Sequence, residues 1–309
     1  MRVLIIGATG FIGRELIKKL EQSGHQPVAV SRNARKAREI LGNEAEIAEW
    51  DGLSPVSLSA HLAGIDAIVN LAGENIASGR WTRRRKNQIK ESRVKTGQLL
   101  CDAIRLSASK PGILLQASAT GFYGTTVEIP VDEDQPAGTG FLAELTREWE
   151  SSVSAASKLV TRTVIIRTGL VLGKDEGLLK KMLIPFRLYS GTTPGSGRQW
   201  MSWIHIRDEV GAICFLLENL DCSGPYNLTA PHPVTMKSFI VSLSEAINRP
   251  AWLKVPGILL KAAMGEMAAE TVLSSQNIFP GKLLQEGFIF ECPHLPEALK
   301  NLLTEKKSV

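Results

Sequence analysis

Short apolar runs alternate with helically spaced hydrophobic positions through the first half of the chain. Val3, Leu4, Ile5 and Ile6 form an unbroken aliphatic run, which predicts a buried strand. Leu16, Ile17 and Leu20 then repeat at helical spacing, and that pattern stops at Gly24. Further strands are predicted at Val28–Val30, weakly at Ala45–Ile47, and at Ala67–Leu71, Ile113–Leu115 and Thr163–Ile166. A long helical pattern runs from about Arg83 to Ala108. Such alternation predicts βαβ units and an α/β fold with a doubly wound parallel sheet, its right-handed crossovers placing helices on both faces. After about residue 174 the rhythm loosens, and eight prolines from Pro185 to Pro280 cut the chain into short elements. We therefore expect a main domain over 1–174, its sheet completed by later segments, and a smaller, interleaved substrate lobe over 175–309. The tail Lys306–Val309 is expected to fray.

Composition narrows the class. With 309 residues, 44% hydrophobic and 22% charged, the chain is neither disordered, collagen-like nor a disulfide scaffold. Cys101, Cys214, Cys222 and Cys292 are scattered, with no CxxC pair and no zinc spacing, so we expect free thiols, a reducing cytoplasm and no metal. The N-terminal apolar run is broken by Gly7, Gly10 and Gly13, so no signal peptide is read. No stretch nears the ~18 apolar residues of a span, and no membrane partner is expected. The net charge of 36 − 31 = +5 is clustered at Arg83–Lys86. That run is a solvated helix start or a positive wall near an anionic ligand. It lacks the aromatic interleaving of a single-strand binder, so no nucleic-acid partner is expected.

The candidate chemistry starts at Gly7, Thr9, Gly10, Phe11, Ile12 and Gly13. This GxxGxxG segment follows the first strand and opens the first helix. Glycines there permit a tight turn and close approach to a pyrophosphate, which the helix N-terminus attracts. The second strand ends in Ser31-Arg32-Asn33, and no carboxylate follows until Glu39. A site for NAD usually carries an acid at this place. A hydroxyl with a guanidinium suits a 2′-phosphate instead, so NADP is the expected cofactor.

Together with Asp51 after the third strand, Leu71, Ala72 and Gly73 after the fourth, Ser118 and Tyr123-Gly124 after the fifth, Arg167–Gly173 with Leu170, and Trp203–Asp208, the loop resembles an extended short-chain dehydrogenase/reductase. More narrowly, the stretches 70–76, 92–100, 118–124, 195–208 and 227–231 resemble its atypical, epimerase-like subgroup, sometimes labelled a cell-division-inhibitor family. The resemblance covers nearly the whole chain. It implies a Rossmann fold, a nicotinamide cofactor, a C-terminal substrate lobe and, from helix pairs in similar folds, a homodimer; the residues expected at the cofactor are Gly7, Thr9, Gly10, Phe11, Ile12, Gly13, Ser31, Arg32, Asp51, Leu71, Ala72, Gly73, Arg93 and Leu170. The substrate is not implied.

In ordinary members a Tyr and a Lys four residues later move the proton that accompanies hydride transfer. Here the three tyrosines, Tyr123, Tyr189 and Tyr226, are followed at that spacing by Val127, Thr193 and Ala230. Counting back from Trp149-Glu150, the pair falls at Leu142 and Thr146, neither of which can replace it. A polar Asn of the long helix is likewise replaced by Arg93, which would face the cleft or form an external ion pair with Glu91 or Glu74. Ser118 is a candidate hydrogen-bond donor to substrate or a strand-end cap. Tyr123 is a displaced proton donor or a pocket wall. Glu74 would orient substrate or pair with Arg93. His205 reads as a core histidine. Arg198 and Trp203, after the glycine loop at 191–197, frame a ligand or a lobe interface. Two functions stay open: an NADP-dependent reductase or epimerase-like enzyme, and a non-catalytic NADP-binding regulator.

Overall fold

The computed structural model describes residues 1–174 and 176–304; the tail expected to fray lies outside them. Seven parallel strands form the central sheet: β1 (Arg2–Ile6), β2 (Gln26–Ser31), β3 (Glu46–Glu49), β4 (Ala67–Asn70), β5 (Ile113–Ala119), β6 (Arg162–Thr168) and β7 (Gly224–Leu228). Their order is β7-β6-β5-β4-β1-β2-β3, reversing direction of growth at β1 and β4. The doubly wound sheet read from the sequence is the fold observed.

Both faces of the sheet are covered, which is why its strands read as unbroken apolar runs. Val3 and Ile5 of β1 join the core on one face, with α1 (Phe11–Gln22) packed over it; Leu4 and Ile6 join the core on the other. The short helices α2 (Ala34–Leu41) and α3 (Pro55–Ala60) flank β2 and β3. The long helix α4 (Arg83–Leu106) covers the second face through Leu100, Ala103 and Ile104. The helix α5 (Phe141–Ser151) lies beside α4 and β5.

Later segments build on this frame. After β6 come α6 (Gly177–Arg187) and α7 (Ile206–Glu218), the latter packed on α1. Arg162, at the start of β6, donates to the carbonyls of Leu216, Leu217 and Cys222, so a buried guanidinium caps the C-terminus of α7. Then follow α8 (Met236–Ile247) and α9 (Gly257–Met264). The chain crosses between its two parts in both directions. β7 comes from beyond residue 174 but completes the main sheet, pairing with β6. Residues 126–131 pair with 275–278 in the lobe. The sequence hid β7 because Gly224 and Pro225 open it, and its polar Asn227 is fully buried.

Candidate functional site

The C-terminal ends of β1, β4 and β5 meet at the glycine loop. Gly7 has φ +86°, and a Cβ there would lie 2.9 Å from the carbonyl of Leu71. The two segments assigned to the cofactor, Gly7–Gly13 and Leu71–Gly73, are thus in contact. Asn70 holds the second: its Oδ1 accepts from the Ala72 amide, while its Nδ2 donates to Gln116. At Gly13 a Cβ would meet Gly7 O at 2.5 Å and Ala8 O at 2.7 Å, so this glycine packs the helix onto the loop. Gly10 differs. It is the N-cap of α1, and the only atom near its missing Cβ is Gly7 O at 3.2 Å. No side chain caps α1, so the first-turn amides of Phe11, Ile12 and Gly13 face outward at its positive end. That is the cradle a pyrophosphate requires.

Arg14 braces the loop from behind. It donates to Thr9 O at 3.0 Å and is ion-paired with Glu176, while the Phe11 ring fills the space a Cβ at Gly173 would need. Where β2 ends, Ser31 Oγ is turned to Asn33, and Asn33 caps α2. Arg32 is exposed and joins no ion pair among the described residues. Asp51 Oδ1 accepts from the Leu53 and Ser54 amides, and these bonds hold its carboxyl below the usual range.

The neighbouring wall is α4. Arg93 lies flat between Gly73 and the Trp149 ring, 4.9 Å from the ring centroid, and its Nη1 donates to Ile89 O. Burial lowers its pKa to about 10, although nearby Glu74 opposes the shift. It forms neither of the ion pairs considered from the sequence. Glu74 pairs with Arg85 instead, at 3.3 Å. Arg80 donates to Ala262 O, Lys86 is paired with Glu266 and lies over the Phe141 ring, and Trp81 stacks edge-on against Phe141. The start of α4 and the residues before it are therefore tied to residues 262–266, leaving Arg83 and Arg84 exposed. Glu270, also from the lobe, accepts from the amides of Phe141 and Leu142 and caps α5.

Ser118 and Tyr123, the candidate groups for the chemistry, lie together in a buried network. Ser118 is buried and its Oγ donates to Glu150 at 2.6 Å. Glu150 also receives two bonds from Arg167, which in turn donates to the Tyr123 hydroxyl at 3.0 Å. Tyr123 donates onward to Asn227 at 2.7 Å and is 4% exposed. Burial works against the Arg167 charge, but Glu150 outweighs it and holds the guanidinium above its usual range. For Tyr123, burial dominates and pushes the phenol up to about 12, despite Arg167. Buried and with its hydroxyl committed to Arg167 and Asn227, this phenol is a poorer proton donor than one whose pKa a neighbouring cation has lowered. The chain Ser118–Glu150–Arg167–Tyr123–Asn227 instead locks α5 to β5, β6 and β7. Leu142 stands in the tyrosine's place, and Thr146 donates to the carbonyls of Leu142 and Ala143.

Trp203 is completely buried in the core and donates from Nε1 to His232 O. Arg198 sits on an exposed turn, where Ser196 Oγ accepts from its amide; its neighbour Gln199 makes the structural bonds, to Pro194 O and Val272 O. His205 is buried and caps α7, its Nδ1 accepting from the Arg207 amide. Among the described residues no group of three His, Cys, Asp or Glu side chains could hold a metal.

Sequence reading missed several polar residues of the frame. Glu150 and Arg167 were noted only as pattern markers, although a charged residue closing an aliphatic strand signals a buried partner. Glu209 was overlooked altogether. It is fully buried on α7, accepts from Thr168 Oγ1 at 2.8 Å, and leaves Oε2 without a hydrogen-bond partner. Burial raises its pKa from 4.5 to about 8. The folded protein thus retains a proton that the unfolded chain releases from about pH 4.5 upward. Its contribution is fully present below that pH and is lost as pH rises towards 8. Glu209→Gln should therefore raise the melting temperature far more at about pH 8 than at about pH 5. Melting curves of the two proteins across that range are the measurement, and a difference independent of pH would refute the buried proton.

Comparison with known proteins agrees with this geometry. Residues 3–229 match the NAD dependent epimerase/dehydratase family, and residues 255–302 match a domain of unknown function, DUF1731. The chain belongs to that family. It is 38% identical to the chloroplastic epimerase family protein SDR39U1 homolog of Arabidopsis thaliana, over 98% of this chain and 87% of the relative. Identity to the epimerase family protein YfhF of Bacillus subtilis is 36%, over the full length of both. The crystal structure of human epimerase family protein SDR39U1 with NADPH superposes with a TM-score of 0.85 at 32% identity, covering 98% of this chain and 99% of that one. UDP-glucose 4-epimerase of Thermus thermophilus shares the fold, with a TM-score of 0.78 at 18% identity over 98% of this chain and 97% of that one.

Proposed function

We propose that this member of the NAD dependent epimerase/dehydratase family is an epimerase-like oxidoreductase that binds NADP(H) across the sheet reversal, with its substrate between sheet and lobe. The observation that carries the reading is the acid-free end of β2, where exposed Arg32 stands beside an uncapped α1. In this reading Phe11, Ile12 and Gly13 hold the pyrophosphate, Ser31 and Arg32 take the 2′-phosphate, and Arg93 backs the site beside Gly73. The related human structure, which holds NADPH, supports the same choice of cofactor. Bound nicotinamide would give or accept a hydride at its C4. The residues of this chain would position that ring and the substrate, and the contact of Trp81 with Phe141 would exclude water. The four buried free cysteines suit a reducing compartment such as the cytoplasm. No helix among the described residues is long and apolar enough to cross a membrane.

The test is a cofactor titration followed by tryptophan fluorescence. NADPH should bind more tightly than NADH. Arg32→Asp should reverse the order, with a loss of about 1–3 kcal/mol for a charge-assisted contact. Equal or tighter NADH binding by the unaltered protein would refute the assignment. A second reading, a non-catalytic NADP(H) sensor, is favoured by one specific observation: Tyr123 and Ser118 are both locked in the buried network.

A further inference from the structure

The surface of the lobe carries a feature that cofactor binding does not use. Six of the eight residues of α9 are apolar, yet none of the eight is buried. Ile258 is 81% exposed and Leu259 59%. The strand before it brings Trp252, 76% exposed, against the turn after α6, where Leu188 is 72% exposed. These segments are bonded together. Leu253 N donates to Gly191 O, Trp252 Nε1 donates to Tyr189 O, and the Arg249 guanidinium lies over the Tyr189 ring. Apolar side chains this exposed, on a bonded strand and turn and on the helix that follows directly along the chain, mark an interaction surface rather than ordinary scatter.

Cations outnumber acids around the patch, with Glu245 and Glu266 standing at the ends of its C-terminal stretch. No Asp or Glu occurs from 177 to 207, or from 246 to 265. The same stretches supply Arg187, Arg249, Lys254 and Lys261 at the edges of the apolar residues. We propose that this face docks on an anionic lipid surface, with Trp252, Ile258 and Leu259 entering the interface and the four cations lying against lipid phosphates. A tryptophan and aliphatic side chains inside a basic border are what such an interface selects. A second copy of the chain fits less well, because a twofold contact would set this cationic border against itself. The expectation of no membrane partner rested on the lack of a span, and a peripheral surface leaves no such run. Arg80 bonds Ala262 of α9, so docking would load an element tied to the residues before α4.

The experiment is co-sedimentation of the whole protein with vesicles of phosphatidylcholine alone, or mixed with phosphatidylglycerol. Binding to the mixed vesicles only, weakened by salt, is expected. Lys254→Gln and Lys261→Gln should each lower the partition about five-fold. The pair Trp252→Ser with Ile258→Ser should abolish it while leaving NADPH titration unchanged, which shows the fold intact. No binding to mixed vesicles would overturn the proposal, as would equal binding to neutral ones. So would a stable dimer that the serine pair dissociates, since a second copy would then cover the face.

Discussion

Gly10→Val should abolish NADPH binding while leaving a folded protein whose melting temperature falls only slightly. The neighbouring change, Gly13→Val, should instead destabilise the fold. The two glycines share a motif but do different work. Around Gly10 the obstruction is slight: φ is −74°, an ordinary value, and a single backbone oxygen, Gly7 O, lies 3.2 Å from the missing Cβ and would have to give by a few tenths of an ångström. A valine there projects into the space before the first-turn amides of α1, where the pyrophosphate would lie. At Gly13 the obstruction is the protein itself, with Gly7 O and Ala8 O at 2.5 and 2.7 Å from the missing Cβ. Those are backbone atoms, so relief requires moving α1 off β1. Overpacking of this kind costs about 1–3 kcal/mol or more. Circular dichroism melts and cofactor titrations on both variants separate the effects. Retained NADPH binding by Gly10→Val would mean the loop is an empty turn. A fully stable Gly13→Val would mean that α1 has freedom the packing denies.

Legibility from sequence followed the physics of each feature. β1, β2 and β4 were plain because a parallel strand buried on both faces must be apolar at every position. α1 was plain because its Leu16, Ile17 and Leu20 repeat at the helical period. The glycine loop was plain for the same kind of reason, since each glycine answers a local backbone demand. β7 was not, because Gly224, Pro225 and Asn227 interrupt the period that marks a strand. Ser118 and Tyr123 were placed after the fifth strand and Trp203 after the glycine loop at 191–197, but position along the chain does not say which way a side chain turns. Ser118 and Tyr123 turn into a network completed by Glu150, Arg167 and Asn227, which lie 32, 44 and 104 residues away from the groups they bond. Such long-range pairing leaves no local pattern. For Glu74, the partner chosen from sequence was Arg93, whereas the fold brings Arg85.

Reduction of ordinary carbonyl substrates by the NADPH-loaded protein should be slower than in a tyrosine-lysine enzyme of this fold by about 10²–10⁴, the usual contribution of a positioned proton donor. Hydride transfer leaves an alkoxide that must be protonated, and a free phenol, titrating near ~10, does this only with a cation beside it. Here Leu142 and Thr146 occupy the places of the pair, and Thr146 is buried with its hydroxyl spent on backbone carbonyls. Tyr123 is farther still from the task, its pKa about 12 and its hydroxyl held between Arg167 and Asn227. Tyr123→Phe should consequently leave whatever slow turnover exists unchanged, but lower the melting temperature, because Arg167 and Asn227 lose a buried partner. A substrate that carries its own acid beside the carbonyl should react faster than one that does not. Stopped-flow oxidation of bound NADPH against a panel of both kinds is the measurement. Fast turnover of plain carbonyls that disappears in Tyr123→Phe would show that the phenol leaves its buried network during catalysis, and would overturn the assignment made to it here.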